Sequence, residues 1–175
     1  LPGYKPRYEG NIRQIMIAAE AINSSKQPVV YTGGGIIASE SSKELLEFAE
    51  KGNLPVTTTL MGLGGFPETH HLSLGMLGMH GTAYANFAVT ESDVLVAIGA
   101  RFDDRITGKI DEFAPHAKII HVDIDPASIS KSIRVDIPVV GDAKNILQEL
   151  NKHIHFVERK EWFDKIKHWK EKNPL

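Results

Sequence analysis

Short apolar runs that alternate with helix-like segments are the feature that most constrains the fold of this chain. These runs are rich in β-branched residues and occupy residues 28–31, 54–59, 93–98, 118–123 and 137–140. Two of them are almost continuously apolar, as expected for strands of a parallel sheet that helices cover on both faces. We therefore predict an α/β fold with a doubly wound, mostly parallel sheet and helices on both faces.

Helical periodicity occupies much of the space between these runs. Residues 11–25 and 39–51 carry apolar side chains at helical spacing, and Asp142 is placed to cap a helix that follows the last strand. Residues 158–172 have a narrow apolar stripe among lysines, which predicts a connecting helix that is weakly anchored in this chain.

These patterns divide the chain into three parts. We predict an N-terminal linker at residues 1–10, because this segment is rich in Pro and Gly. A central nucleotide-binding domain follows at residues 11–153. Residues 154–175 are predicted to form a connecting helix.

Bulk properties exclude several classes of function. The 175 residues carry a formal net charge of -2 with both signs mixed, which argues against nucleic acid or an anionic membrane as a partner. The chain has no cysteine, so thiolate nucleophiles and cysteine-ligated zinc are excluded. The histidines lack metal-site spacing, and we expect no metal site. The absence of cysteine permits a reducing compartment, and we expect a cytoplasmic protein. No stretch approaches the roughly 20 apolar residues of a membrane helix, so we expect a soluble chain.

Glycines follow the first predicted strand, where an open parallel sheet binds ligands. Gly33, Gly34 and Gly35 open a formal G-x-G-x-x-A motif, in which absent side chains would let backbone N–H groups approach a phosphate. A dinucleotide site would add an acidic residue about 20 positions on, but the second strand ends in threonines. Two interpretations stay open: a phosphate-binding turn, or a tight turn that packs helix on strand.

Charged residues follow the third and fourth strands. Arg101 and Arg105 lie close in sequence to Asp103 and Asp104, and arginine suits bidentate capture of phosphate or carboxylate. A surface salt-bridge cluster is the alternative interpretation of this loop. The fourth strand ends in Asp123, whose carboxylate could accept from a ribose or ribityl hydroxyl. The residues therefore predict a phosphate-containing cofactor along one edge of the sheet.

Residues 61–81 form the longest segment without periodicity and contain six glycines. A glycine-dense loop of this length in a compact domain is usually functional or disordered, and we predict a functional loop.

Three strings in this part of the chain closely resemble one enzyme family. They are TTTLMGLG at residues 57–64, LGMLGMHG at residues 74–81 and GARFDDRITG at residues 99–108. The chain resembles the acetohydroxyacid (acetolactate) synthase catalytic subunit over residues 31–143, within its Rossmann-like central domain. Members of this family condense pyruvate with pyruvate or 2-oxobutyrate in branched-chain amino-acid biosynthesis, with thiamine diphosphate and magnesium.

The resemblance implies an extended, non-redox FAD on the domain at residues 11–153, and it implies that the helix at residues 154–175 leads towards a thiamine-diphosphate domain outside this chain. The residues implied for it are Gly33, Gly34, Gly35, Thr58, Thr59, Leu60, Leu77, Gly78, Met79, His80, Gly99, Ala100, Arg101, Asp103, Asp123, Ile124, Asp142 and Ala143. Arg105 and Met79 would lie near the second 2-oxoacid.

The resemblance implies no catalytic residue in this chain. The family's catalytic glutamate and its magnesium and diphosphate motif belong to flanking domains, so the chain alone is expected to be inert. A homodimer or higher oligomer through the flanking domains, and a small regulatory subunit, are the implied partners.

Two alternatives remain for the function. One is the middle domain of another flavin-containing thiamine-diphosphate enzyme, such as a glyoxylate carboligase or pyruvate oxidase. The other is a stand-alone nucleotide-binding module, since fold does not fix function.

Overall fold

Six parallel strands form one sheet in the computed structural model, which describes residues 10–101, 114–126 and 134–175. The strands are β1 Pro28–Thr32, β2 Val56–Thr58, β3 Ser73–Met76, β4 Val94–Ile98, β5 Lys118–Asp123 and β6 Ile137–Val140. Their order is β3-β2-β1-β4-β5-β6, and each neighbouring pair is parallel. The predicted doubly wound α/β fold is confirmed.

Helices cover both faces of the sheet. Over the described residues they are α1 Ile12–Ser24, α2 Gly35–Ala38, α3 Ser42–Gly52, α4 Ala83–Glu91, α5 Ala143–Asn151 and α6 Lys160–Lys172, with a 3-10 turn at Leu60–Gly62. The apolar faces of α1, α3 and α5 form one core with the sheet, and those of α4 and α6 form the other. No helix within the described ranges combines the length and apolar character needed to cross a membrane.

The central strands are apolar because they are buried on both faces. In β1, Val30 belongs to one core and Val29 and Tyr31 to the other, as the two-residue repeat of a strand requires. Helix starts follow local capping: Asn11 accepts from the N–H groups of the first turn of α1. Asp142 accepts from Asn145 N at the start of α5, as predicted.

Two expectations were wrong. The predicted loop at residues 61–81 contains strand β3, which pairs with β2 at the edge of the sheet. Its period is hidden because Ser73 and Gly75 alternate with Leu74, the one fully buried residue of the strand. Helix α6 was expected to be weakly anchored, but Trp162 is buried in the core and its Nε1 donates to Pro28 O at 3.0 Å.

Arg159, which directly precedes α6, is the main polar anchor of this helix. Its side chain is 6% exposed, and it donates to Ser25 O (2.8 Å), Gly52 O (2.8 Å) and Ile22 O (3.0 Å). These carbonyls lie at the C-terminal ends of α1 and α3, where unpaired carbonyls and the helix dipole both favour a cation. Burial lowers the pKa of the guanidinium, an effect that Asp93 opposes, and arginine stays charged.

We expect Arg159→Met to lower the free energy of unfolding by about 3 kcal/mol, because it leaves buried carbonyls without donors. Lys160→Met is the matched control, since Lys160 is exposed and, among the described residues, makes only a surface contact with Asp164; its effect should stay within about 0.5 kcal/mol. Equilibrium urea unfolding measures both variants. A loss below about 1 kcal/mol for Arg159→Met would show that the guanidinium is not an anchor.

Candidate functional site

The turns that follow β1 and β4 meet at the centre of the sheet's carboxyl edge. From β1 the sheet continues through β2 to β3 on one side, and from β4 it continues through β5 to β6 on the other. The chain therefore leaves this point in two directions. In open α/β sheets, ligands bind in the crevice that such a divergence creates, and this strand order is the one found in dinucleotide-binding folds.

Glycines allow the two turns to touch through their backbones. A Cβ atom on Gly33 would lie 2.6 Å from Gly99 O, and one on Gly35 would lie 2.6 Å from Gly99 Cα. Gly99 itself has φ +61°, a left-handed conformation that other residues adopt at a cost. Of the two interpretations of the glycine motif, close packing is confirmed for Gly33 and Gly35.

The same packing occupies most of the donors of this turn. Gly33 N donates to Ile98 O (3.2 Å) and Gly35 N to Gly99 O (3.0 Å). Gly34 N is the remaining donor, with no acceptor in the part of the chain that the structure describes. Helix α2 is only four residues long, too short for a strong dipole. In this conformation the amides of Gly33 and Gly35 are therefore already used within the protein.

A trough of about 410 Å³ opens beside this contact, at the ends of β4, β5 and β6. It brings together seven of the predicted residues: Gly35, Gly99, Arg101, Asp123, Ile124, Asp142 and Ala143. Ala38, Ser39, Val122 and Gly141 also line it, and sequence reasoning did not select them. Arg101 and Asp123 come from strands that are direct neighbours, so a cation and a carboxylate face one space.

The charged side chains of the trough differ in whether they already form hydrogen bonds within the protein. Arg101 is exposed. Asp123 accepts from Asp125 N at 2.9 Å through Oδ1, which holds its carboxylate in a turn. Asp142 caps α5 through Oδ2. Arg101 is thus the side chain most suited to neutralising a ligand phosphate, and Asp123 is suited to accepting from a hydroxyl.

His121 lies beneath this trough, and the sequence analysis did not select it. It is buried in β5, and its Nε2 lies 3.0 Å from Ala100 O and 3.7 Å from Asp123 Oδ2. A carbonyl only accepts, so Nε2 carries a proton. Burial lowers the pKa of the imidazole, an effect that the Ala100 carbonyl and Asp123 oppose. The signal in the sequence was a histidine inside an otherwise apolar strand.

The other predicted residues lie at the ends of β2 and β3, beyond the trough but on the same edge. Thr58 and Thr59 are buried, and Thr59 Oγ1 accepts from Gly62 N at 3.1 Å. Leu77 is buried, Leu60 is 67% exposed and Met79 is 94% exposed. Gly78 and His80 share the turn with Met79. From β3 to β6 this edge spans five gaps, or about 24 Å at about 4.8 Å per strand.

Some predicted positions do not face this edge or cannot be placed. Ala100 is buried beneath the trough rather than lining it. Asp103 and Arg105 lie outside the described residues.

Comparison with known proteins gives one family. Residues 15–150 match the family described as "Thiamine pyrophosphate enzyme, central domain". The chain is 57% identical over 169 residues to the probable acetolactate synthase large subunit of Methanocaldococcus jannaschii, covering 95% of this chain and 29% of that protein.

Two bacterial relatives give the same result. The chain is 51% identical over 179 residues to the acetolactate synthase large subunit of Buchnera aphidicola subsp. Schlechtendalia chinensis, covering 98% of this chain and 31% of that protein. It is 49% identical over 169 residues to the acetolactate synthase of Mycobacterium bovis, covering 93% and 27%. The chain thus spans less than a third of the length of these curated relatives.

The glycine contact predicts opposite results for two neighbouring substitutions. Gly35→Ala should cost about 2 kcal/mol or more, because its Cβ would lie 2.6 Å from backbone. Gly34→Ala should be neutral or stabilising by up to about 1 kcal/mol, because Gly34 has helical φ and its Cβ would lie 3.4 Å from Met61 Cβ. Equilibrium denaturation of both variants tests this, and equal losses would contradict the close approach.

His121 predicts a pH dependence of stability. Its pKa in the folded protein is below the usual 6.5, so the unfolded chain binds more protons as the pH falls below about 6.5. The free energy of unfolding should therefore decrease from about pH 6.5 downwards, by up to about 1.4 kcal/mol per pH unit for this proton. His121→Gln should flatten that slope, and His168→Gln, which changes an exposed residue, should not. Urea unfolding between pH 5 and 8 measures it, and identical slopes for all three proteins would refute the assignment.

Proposed function

Because this chain belongs to the thiamine pyrophosphate enzyme central-domain family, we propose that it is the central domain of an acetolactate synthase large subunit and that it holds FAD along the carboxyl edge of its sheet. The observation that carries the FAD proposal is the trough in which Arg101 and Asp123 meet beside the glycine contact. The names of the three relatives support the choice of enzyme.

The polar end of the edge suits the adenosine and diphosphate parts of FAD. Arg101 can pair with a diphosphate by charge-assisted hydrogen bonds. Asp123 can accept from ribose or ribityl hydroxyls, and Ile124 and Ala143 offer apolar surface beside it. Gly35 and Gly99 also line the trough and place no side chain in it. Asp103 is proposed as a further contact on the basis of the family resemblance.

The apolar end of the edge suits a flat ring. Leu60 and Met79 are largely exposed although they are apolar, and they follow the neighbouring strands β2 and β3. Exposed apolar surface commonly marks a binding site. Thr58, Thr59, Leu77, Gly78 and His80 complete the proposed lining at the ends of β2 and β3. Bound FAD would serve as a structural cofactor here, without net redox chemistry.

The chemistry of the complete enzyme is proposed to lie outside this domain. Thiamine diphosphate and magnesium would be bound by flanking domains, where two 2-oxoacids, pyruvate with pyruvate or 2-oxobutyrate, are condensed on the route to branched-chain amino acids. Arg105 is proposed to bind the carboxylate of the second 2-oxoacid, with Met79 packing nearby. Dimerisation through the flanking domains, a regulatory subunit and a cytoplasmic location belong to the same proposal.

FAD affinity tests the proposed role of the trough. In the complete polypeptide we expect Arg101→Ala to weaken FAD binding by about 10- to 100-fold, the range for losing a charge-assisted hydrogen bond. Arg13→Ala is the matched control, because Arg13 is exposed on α1, a helix that does not line the trough. Titration of FAD against the apoproteins, followed by flavin fluorescence, gives the dissociation constants.

Equal FAD affinity for Arg101→Ala and the unsubstituted protein would refute the phosphate role. The same preparations should form acetolactate from pyruvate when thiamine diphosphate and magnesium are supplied. Carboligation of glyoxylate or oxidation of pyruvate in place of acetolactate formation would assign the domain to one of the alternative thiamine-diphosphate enzymes.

A further inference from the structure

Hydrogen bonds fix the turn between β3 and α4 on both sides of its tip. Gly81 N donates to Gly78 O (3.0 Å) and Thr82 N to Met76 O (2.9 Å). Thr82 Oγ1 donates to Leu74 O (2.7 Å) and accepts from Ala85 N (3.1 Å), which caps α4. Backbone on either side of the tip is therefore fixed to the strand and to the helix.

Asn86 adds a second clamp from the first turns of α4. Its Oδ1 accepts from Gly78 N at 3.3 Å, and its Nδ2 donates to Gly78 O at 3.0 Å and to Thr82 O at 2.9 Å. Only one orientation of the amide satisfies an N–H and two carbonyls. Asn86 is half-buried, so these bonds are partly shielded from water. The Asn86 side chain thus pairs with both the N–H and the C=O of Gly78, as the backbone of a neighbouring strand would.

The tip of this turn is held out from the protein. Met79 is 94% exposed, and His80 is also exposed. Gly78 has φ +105°, a value that L side chains rarely adopt, and a Cβ there would meet nothing within 4 Å. Glycine is required at position 78 by the backbone conformation and not by close contacts with neighbouring atoms. The position of Met79 and His80 is thus set by the clamps and owes nothing to packing of the Met79 side chain.

A turn that already has its ligand-bound conformation loses less conformational entropy when the ligand binds. We propose that Asn86 is a positioning residue of the cofactor site: by holding the N–H and C=O of Gly78, it keeps the turn that carries Met79 and His80 in the shape that receives the flavin ring. This inference rests on the proposed FAD function. Asn86 itself does not touch the ligand; it acts through Gly78.

Two substitutions of Asn86 and one control test the inference in the complete polypeptide. Asn86→Ala removes all three bonds. Asn86→Asp keeps the size and an acceptor for Gly78 N but turns the donor into a carboxylate oxygen that faces two carbonyls. Thr90→Ala is the control, because Thr90 lies one turn later on α4, is exposed, and bonds only to Asn86 O in the described residues.

We expect about tenfold weaker FAD binding for both Asn86 variants and an altered visible circular dichroism spectrum of the flavin at saturating FAD. Thr90→Ala should change neither. If Asn86→Ala does not fold, Asn86→Asp, which has nearly the same shape, carries the test.

The outcomes separate this inference from the proposed function. If the unsubstituted protein binds FAD and the Asn86 variants bind it equally well with the same flavin spectrum, the inference is overturned and the FAD function stands. A purely structural role gives that same result with a lower melting temperature, and overturns it as well. If the unsubstituted protein binds no FAD, the proposed function fails and the positioning role fails with it.

Discussion

The backbone contact between the turns after β1 and β4 is the constraint on which the carboxyl edge depends. Gly33, Gly35 and Gly99 bring these turns to a distance that no Cβ would permit. The contact fixes the point at which the sheet diverges and sets the trough beside it. It also occupies the amides of Gly33 and Gly35. Under the proposed function, attraction for a phosphate must then come mainly from a side chain, and Arg101 is placed to supply it.

The opposite edge of the sheet is held together by polar contacts of a different kind. Arg159 holds the C-terminal ends of α1 and α3, and the Asp93 carboxylate accepts from Lys26 N (2.8 Å) and Gln27 N (2.9 Å) where β1 begins. Buried carbonyls need donors, and here one guanidinium serves several of them. Much of the polar anchoring therefore lies at the amino edge. At the carboxyl edge, by contrast, glycines and short turns lie beside the trough.

The sequence predicted those features that have a local physical cause. Strands β1 and β4 are recognisable because burial on both faces makes them apolar, and β5 and β6 because they carry short runs of apolar, β-branched residues. Strand β3 was missed because it is short, lies at an edge and contains Ser73 and Gly75; pairing with β2 makes it a strand. Arg159 gave no signal, since its main carbonyl partners lie more than 100 residues away. The glycine motif was visible in the sequence. Only the fold could show that its amides donate to carbonyls of β4 and of the turn after β4.

The two halves of the carboxyl edge differ in chemistry, and the difference constrains what can bind there. Around β4 to β6 the edge carries Arg101, Asp123 and Asp142; around β2 and β3 it exposes Leu60 and Met79. A ligand that covers both must be long, charged or hydroxylated at one end and flat and apolar at the other. Apolar surface removed from water contributes about 25 cal/mol per Å², whereas a single charge-assisted hydrogen bond contributes about 1.5–3 kcal/mol. Under the proposed function, the apolar half would therefore supply much of the affinity for FAD, and the polar half would fix its direction along the edge.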